Sequence, residues 1–176
     1  RSGSHDPALG VLANRERADY KRFFGIVNQH LVIYSERSGF YKYYEALIDG
    51  LLKSSNITIH YITSDPDDAV FELAKTQPRI RPYYIGLKKL IPLMMRLDAD
   101  MVAMTTPDLD TFYIKRSLVR KDAEYIYVPH DMMSIHMGFH KGALDHFDTV
   151  FATGPHVERE IRSTERVYGL PEKTVV

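Results

Sequence analysis

The stretch Tyr125–Ala152, YIYVPHDMMSIHMGFHKGALDHFDTVFA, contains two short apolar runs that each lead directly into a polar segment with a histidine. The first run, Tyr125–Val128, ends in Pro129-His130-Asp131. The second, Thr149–Ala152, ends in Thr153-Gly154-Pro155-His156. Runs of this length are typical of buried strands. In an open α/β sheet, ligands bind outside the carboxyl ends of the strands. The stretch therefore predicts a sheet that delivers histidines to its functional edge.

Outward from this stretch, apolar strand patterns alternate with helical patterns along the whole chain. The predicted strands are His30–Tyr34, Ile57–Ile62, Arg81–Ile85, Met101–Met104, Tyr125–Val128 and Thr149–Ala152. The predicted helices are 11–28, Tyr41–Leu52, one opened by Asp65-Pro66-Asp67-Asp68, Leu87–Leu97, Leu109–Leu118 and Val157–Tyr168. Alternation with short connections predicts an α/β fold, a Rossmann-like parallel sheet with helices on both faces.

Composition limits the classes of protein that remain. The chain has 176 residues, 44% hydrophobic and 26% charged, with a formal net charge of zero. These values are ordinary for one soluble domain. With a net charge of zero, the chain has no overall positive field that would attract nucleic acid. The absence of cysteine excludes disulfides, thiolate metal sites and a cysteine nucleophile. The sequence contains no run of about 18 apolar residues, the length needed to span a bilayer.

The two ends of the chain suggest where the domain lies. Residues 1–10 are interpreted as a tag or disordered end, which leaves 11–176 as the domain. At the other end, Thr174-Val175-Val176 has the pattern of one more strand, after a helix stop at Gly169 and Pro171. We interpret this as an N-terminal Rossmann-like domain whose C-terminal partner domain is absent.

Candidate functional residues cluster after the predicted strands. His130 can act as a general base toward a hydroxyl, with Asp131 beside it. Ser38 and Gly39 follow the first strand. They are candidate substrate-binding residues, and Ser38 is also placed to cap the next helix. Gly154 and His156 precede a helix whose first N–H groups can contact an anion.

A metal site is an alternative for the histidines at 136, 140 and 146. Their spacing allows a His-x3-His pair, but Gly138 and Gly142 weaken a helix there and no HExxH-type acid is present. We therefore expect no metal and no cofactor, with His136 and its neighbours lining a cleft. No GxGxxG or P-loop motif follows the first strand, which argues against dinucleotide oxidoreductases and P-loop NTPases.

Leu87–Leu97 is unusually apolar, with basic residues interspersed. It has two interpretations, a helix packed on the sheet or a helix that contacts a membrane or partner. The tyrosines at 41, 43 and 44 are interpreted as packing residues, since no basic stripe accompanies them, and no nucleic-acid partner is expected.

The stretch from Tyr125 to Val176 resembles the CDP-glycerol glycerophosphotransferase family, the teichoic-acid polymerases and their relatives. In that family a strand ends in a His-Gly-Thr-like motif. A loop with a lysine, an aspartate before the next strand, a helix and a GLP-x-K turn follow. Here His130 matches the motif histidine, Lys141 lies in the loop, and Asp148 precedes the strand. Asp131-Met132 stands where the family has Gly-Thr.

The resemblance implies a GT-B architecture, in which two Rossmann-like domains face each other across a cleft. This chain would be the acceptor-side domain, and the missing domain would bind the CDP-linked donor. The implied reaction moves glycerol phosphate from CDP-glycerol to a hydroxyl of a cell-wall or capsular polymer, with His130 as base and Lys141 among the donors to the transferred group. The implied partners are CDP-glycerol and a polymer or lipid-linked acceptor, in the cytoplasm at the inner membrane face.

Three other functions remain open on sequence grounds. The first is a GT-B glycosyltransferase with a nucleotide-sugar donor, because fold does not fix function. The second is a non-catalytic module that binds a membrane or partner through Leu87–Leu97. The third is a metal hydrolase built on the histidine cluster.

Overall fold

The protein was analysed as a computed structural model, which describes residues 6–106, 109, 114–129, 144–151, 158–159, 162–163, 165–166 and 172–176. The elements are α1 (Pro7–Phe24), β1 (Leu31–Ser35), α2 (Tyr41–Ser54), β2 (Ile59–Thr63), α3 (Val70–Thr76), β3 (Ile80–Tyr84), α4 (Leu87–Arg96), β4 (Met101–Met104), β5 (Glu124–Tyr127), β6 (Thr149–Val150) and β7 (Thr174–Val175). Residues 158–159, 162–163 and 165–166 are also helical, within the helix predicted at Val157–Tyr168.

All seven strands form one parallel sheet in the order β3-β2-β1-β4-β5-β6-β7. The predicted Rossmann-like α/β class is confirmed. The chain builds outward from β1 to β3 and then returns to lay β4 on the other side of β1. The order therefore reverses between β1 and β4, and open sheets bind their ligands at such a switch point.

The sheet separates two apolar cores because successive side chains of a strand point to opposite faces. Along β1, Val32 and Tyr34 join the core that also holds Phe23 of α1 and Leu90 of α4. Leu31 and Ile33 join the core beneath α2 and α3. Every residue of β1 is buried, as expected for a central strand covered on both faces.

The β3 edge is covered by side chains of α1. The Asp19 Oδ2 atom accepts from the Tyr84 N–H at 2.8 Å, Glu16 Oε2 accepts from the Gly86 N–H at 2.5 Å, and Arg22 donates to the Pro82 carbonyl at 2.5 Å. Pro82 itself has no N–H. Unpaired backbone groups at a sheet edge can pair with a strand of another chain. Here side chains of α1 bond to these groups and cover the edge.

Two predicted boundaries need correction at the start of helices. Helix α1 begins at Pro7 rather than at residue 11, because Asp6 caps it by accepting from the Ala8 N–H at 3.0 Å and Pro suits the first turn. Residues 7–10 are thus part of the fold. Helix α3 begins only at Val70, and the preceding Asp65–Asp68 segment is a turn.

The helix predicted at Leu109–Leu118 is wrong over 114–118, which is irregular. Here Ser117 accounts for the conformation. Its hydroxyl donates to the Leu97 carbonyl at 2.6 Å, and its N–H donates to the Tyr125 hydroxyl at 2.7 Å. The same hydroxyl accepts from the N–H groups of Val119 and Arg120, and polar side chains that bond to nearby backbone in this way compete with helix formation. Residues 110–113 lie outside the described part.

Helix α4 packs on the sheet with its apolar side inward. Leu90, Leu93 and Met94 are fully buried, and Leu97 just beyond the helix is buried as well. These four apolar residues therefore form core, whereas Leu87 at the start of the helix is 54% exposed. Among the described residues, no helix combines the length and apolarity needed to cross a bilayer.

Candidate functional site at the carboxyl edge of the sheet

The candidate site is the crevice at the carboxyl ends of β1 and β4, flanked by the loops that follow β2 and β5. Because the strands are parallel, the segments at 36–40, 64–69, 105–106 and 128–129 all leave the sheet at this edge. Hydrogen bonds join the segments at 36–40, 64–69 and 105–106 and fix their relative positions.

The loop after β2 holds the loop after β1. The Asp65 Oδ2 atom accepts from the Ser38 N–H at 3.0 Å, while the Ser38 Oγ accepts from the Ala69 N–H at 3.2 Å. Ala69 is the N-cap residue of α3. Ser38 is therefore at the predicted edge, but its predicted capping role is wrong for α2, because its hydroxyl serves α3. Phe40 occupies the N-cap position of α2, and its side chain makes no capping hydrogen bond.

A second set of polar contacts supports the β2 loop from below. The buried Asp68 accepts from the Thr63 hydroxyl at 2.7 Å and from the Val70 N–H at 3.0 Å. Tyr34 and Ser64 are joined through their hydroxyls at 3.0 Å. The segment Asp65–Asp68 was predicted to begin a helix. Its contacts instead hold the loop after β1 in place.

Among the described residues, a hydrogen bond from the Thr106 hydroxyl to Glu36 Oε1, at 2.7 Å, bridges the crevice between β1 and β4. The adjacent Thr105 is buried, and its hydroxyl lies close enough to the Tyr44 hydroxyl to lower the pKa of that phenol. Thr105 therefore places a polar group just beneath the crevice.

Gly39 lies at the open side of the crevice. Its φ of +87° belongs to the left-handed region that favours glycine, and a Cβ placed there would meet no atom within 4 Å. Helix α2 starts two residues later, and Arg37 and Lys42 are exposed on either side of Gly39. A helix start flanked by two cations, with free space beside it, is suited to an anionic group.

Four tyrosines lie at or below this edge, and burial controls their chemistry. Burial raises the pKa of Tyr34 and of Tyr41 to about 12 each. Burial also raises the pKa of Tyr44 and Tyr61 above the ordinary value, and a nearby Thr105 hydroxyl only partly offsets this for Tyr44. All four phenols are protonated at neutral pH. None can serve there as a general base.

Six predicted site residues lie outside the described residues: His130, Asp131, His136, Lys141, Gly154 and His156. The structure does describe the residues that lead up to His130. Val128 donates its N–H to the Met104 carbonyl at 2.9 Å, and Pro129 is buried one residue before His130. The chain therefore leaves β5 beside the end of β4, at the same edge as Ser38 and Gly39.

His146 is at the other edge, which corrects its predicted place in the cleft. It precedes β6 by three residues, is exposed, and its carbonyl accepts from Arg116 at 2.7 Å. The same guanidinium contacts Asp148 Oδ2 at 3.1 Å, and that carboxylate oxygen accepts from the Tyr125 N–H at 2.8 Å. Asp148 thus ties β5 to β6 at their amino ends.

The amino edge carries a charged network with a structural role. Arg120 contacts Asp98 at 3.1 Å, Asp100 at 2.5 Å and Asp122 at 3.1 Å. His30 and Arg120 bind Asp100, and these contacts lower the pKa of that carboxyl. The network joins the segments that enter β1, β4 and β5. It lies opposite the candidate site.

The lysine of the GLP-x-K turn is buried. Lys173 Nζ donates to the carbonyl oxygens of Phe147 at 3.0 Å and Asp145 at 3.3 Å, and its N–H donates to Glu165 Oε1 at 2.7 Å. Burial lowers the pKa of its ammonium group. Sequence reasoning assigned this lysine no role, and its contacts show that it anchors the start of β7 to β6.

A polar depression of about 350 Å³ lies elsewhere, at the end of α2. Arg79 lines it and donates to the carbonyl oxygens of Ser55, at 2.5 Å, and Leu52. Since these bonds cap the last turn of α2, the guanidinium has a structural role.

Among the described residues, no three His, Asp or Glu side chains are grouped to hold a metal ion. His136 and His140 lie outside those residues, so the metal alternative is untested. Comparison of the chain with protein-family models, with curated proteins and with solved structures found no match.

Proposed function

We propose that this chain is the acceptor-side domain of a GT-B transferase that moves glycerol phosphate from CDP-glycerol to a hydroxyl of a cell-envelope polymer. The observation that supports it is the convergence of strand ends. The Ser38–Gly39 turn, the Thr105–Thr106 segment and the residue before His130 share the carboxyl edge of one parallel sheet. The resemblance of Tyr125–Val176 to the glycerophosphotransferase family supplies the reaction.

In the proposed reaction the acceptor oxygen attacks the phosphorus that carries glycerol. A new P–O bond forms, the P–O bond to the cytidine monophosphate group breaks, and CMP leaves. The acceptor's proton goes to His130. A positioned base of this kind contributes roughly 10²–10⁴-fold to the rate. The four tyrosines at this edge are donors only at neutral pH, because burial raises the pKa of each phenol.

The described residues contribute binding and positioning. Asp65 holds the Ser38 N–H and so fixes the turn in which Gly39 leaves open space. Arg37 and Lys42 put positive charge beside that space, where a phosphate of the acceptor chain would be stabilised. The departure at Asp131-Met132 leaves the motif histidine with a carboxylate neighbour that can orient the imidazole.

The test is CMP release from CDP-glycerol by the full-length protein with a poly(glycerol phosphate) primer. His130→Ala should lower turnover by about 100-fold or more. The matched control is His30→Ala, because His30 pairs with Asp100 at the opposite edge. Unchanged turnover in His130→Ala would remove the histidine from the mechanism. Consumption of UDP-glucose in place of CDP-glycerol would assign the protein to the glycosyltransferases.

A further inference from the structure

Glu36 is a carboxylate held at the point where the order of the strands reverses. It follows the last residue of β1, and its Oε1 atom accepts from the hydroxyl of Thr106, which lies two residues beyond β4. Both side chains are half-buried. Open α/β sheets bind their ligands at such a switch point. This carboxylate therefore lies where a ligand is expected.

The backbone is fixed on both sides of Glu36. The Ser35 carbonyl accepts from the Ser64 N–H at 3.2 Å, and the buried Ser35 hydroxyl donates to the Arg37 carbonyl at 2.9 Å. Since the residues before and after Glu36 are both bonded, the carboxylate is held in place before any ligand arrives. Such preorganisation lowers the entropic cost of binding.

Beneath the crevice, Tyr44 of α2 joins the ends of β1 and β4. Its hydroxyl donates to the Tyr34 carbonyl at 2.5 Å and lies beside the Thr105 hydroxyl. All three residues are buried. Tyr34 is two residues before Glu36, and Thr105 is next to Thr106. The two walls of the crevice are therefore held together from below as well as by the Glu36–Thr106 bond.

The second oxygen of this carboxylate remains for a ligand. Among the described residues, none donates a hydrogen bond to Glu36 Oε2 and none forms an ion pair with Glu36. The neighbouring guanidinium of Arg37 lies 5.3 Å from the centre of the Phe40 ring instead. An ionised carboxylate only accepts hydrogen bonds, and it repels a phosphate group. A neutral hydroxyl is the group that suits this position.

We propose that Glu36 binds a hydroxyl of the acceptor, which donates to Oε2, and that this contact selects chains ending in a polyol over chains ending in phosphate. Glu36 thereby determines the specificity of the proposed transferase, on which this role rests. The end of the acceptor is a diol or a larger polyol, since one hydroxyl attacks the donor while a neighbouring one donates to Glu36. Arg37 and Lys42, both exposed, stabilise a phosphate farther along the chain.

The experiment is calorimetric titration of the full-length protein with two short glycerol phosphate chains. One chain ends in glycerol, and the other carries a further phosphate at that end. Wild type should bind the glycerol-ended chain about tenfold more tightly, because the carboxylate attracts one end and repels the other. No donor nucleotide is needed, so binding is measured without turnover.

Glu36→Gln retains an oxygen for the Thr106 hydroxyl but removes the charge. It should weaken binding of the glycerol-ended chain about fivefold, because a charged acceptor is replaced by a neutral one. It should tighten binding of the phosphate-ended chain about fivefold, because the repulsion is lost. A variant that only disturbed the loop would weaken both, so the opposite signs identify the contact.

Two further variants support the comparison. Asp67→Asn is the matched control, since it removes an exposed carboxylate from the neighbouring loop, and both affinities should stay within about twofold of wild type. Glu36→Asp keeps the charge but shortens the side chain by one methylene. It should weaken the glycerol-ended chain and still disfavour the phosphate-ended one. Circular dichroism confirms that each variant is folded.

Three outcomes would overturn the role of Glu36. They are failure of wild type to bind the glycerol-ended chain, equal affinity of wild type for both chains, and weaker binding of both chains by Glu36→Gln. The proposed reaction fails separately. Selective binding by a protein that releases no CMP would retain the hydroxyl contact and remove the reaction, whereas CMP release without selectivity would do the reverse.

Discussion

The Asp65 carboxylate accepts from the Ser38 N–H across 27 residues of chain, and its other oxygen accepts from the Asp67 N–H at 2.9 Å. One side chain therefore shapes its own turn and fixes the neighbouring loop. That loop carries Gly39 and leads into α2. The geometry of the candidate site therefore depends in part on a carboxylate that lies outside the loop it holds.

Asp65→Ala should lower the free energy of unfolding by about 2 kcal/mol, because two N–H groups lose a charged acceptor. The measurement is urea denaturation followed by circular dichroism. Asp67→Ala is the matched control, since the Asp67 side chain is exposed and makes no hydrogen bond to a described residue. That control should stay within about 0.5 kcal/mol of wild type. Equal stability of the two variants would show that the bridge does not hold the loop.

The sequence was sufficient to predict the parallel sheet and nearly every strand. Alternating short apolar runs carry that information directly, and the five strands β1 to β5 all lie within two residues of their predicted bounds. The misplaced helix at 114–118 has a local apolar pattern. Its actual path depends on Ser117 bonding to Leu97 and Tyr125, which are distant in sequence or belong to another element.

The site was predicted less completely, because its contacts join separate loops. The position of Ser38 after a strand predicted the correct edge. Its bond to Asp65 and the Glu36–Thr106 bridge cannot be read from one segment. His146 looked like a partner of its neighbours in sequence, yet it lies before β6 at the opposite edge.

Glu16→Ala and Asp19→Ala should each expose one amide at the edge of β3. Loss of a bond worth about 1 kcal/mol should speed exchange of that amide by about fivefold. The effect should be specific: Glu16→Ala affects Gly86, and Asp19→Ala affects Tyr84. Hydrogen exchange followed by NMR measures both sites. Arg17→Ala on the same helix should change neither, and unchanged exchange in all variants would contradict the role of α1 as an edge cover.

Lys173→Ala should destabilise the protein by about 2 kcal/mol, because a buried carbonyl group and a partly buried one lose their donor. Lys173→Met, which fills a similar volume without the donor, should recover part of the loss. Chemical denaturation measures the three proteins. Lys121→Ala, at an exposed lysine, should behave as wild type. If Lys173→Ala were also neutral, the lysine would be available for a role other than joining β7 to β6.

His60 should make the fold sensitive to acid. Burial, with a smaller contribution from Arg81, lowers the pKa of this imidazole from 6.5 to about 4. Its Nδ1 lies 3.0 Å from the Tyr83 hydroxyl, and the Phe23 ring packs edge-on against it. Between pH 6.5 and 4 the unfolded chain binds a proton that the folded chain does not. The free energy of unfolding therefore falls as the pH is lowered through this window, by about 3 kcal/mol in all.

His60→Gln retains a partner for the Tyr83 hydroxyl and cannot titrate, so it isolates this effect. Urea denaturation from pH 8 to 4 should show a gap between wild type and variant that is constant above pH 7. Below that pH the gap should shift in favour of the variant by about 3 kcal/mol. Parallel profiles over the whole range would mean that His60 takes up its proton in the folded state. The core beside Phe23 would then have to open to water without loss of the fold.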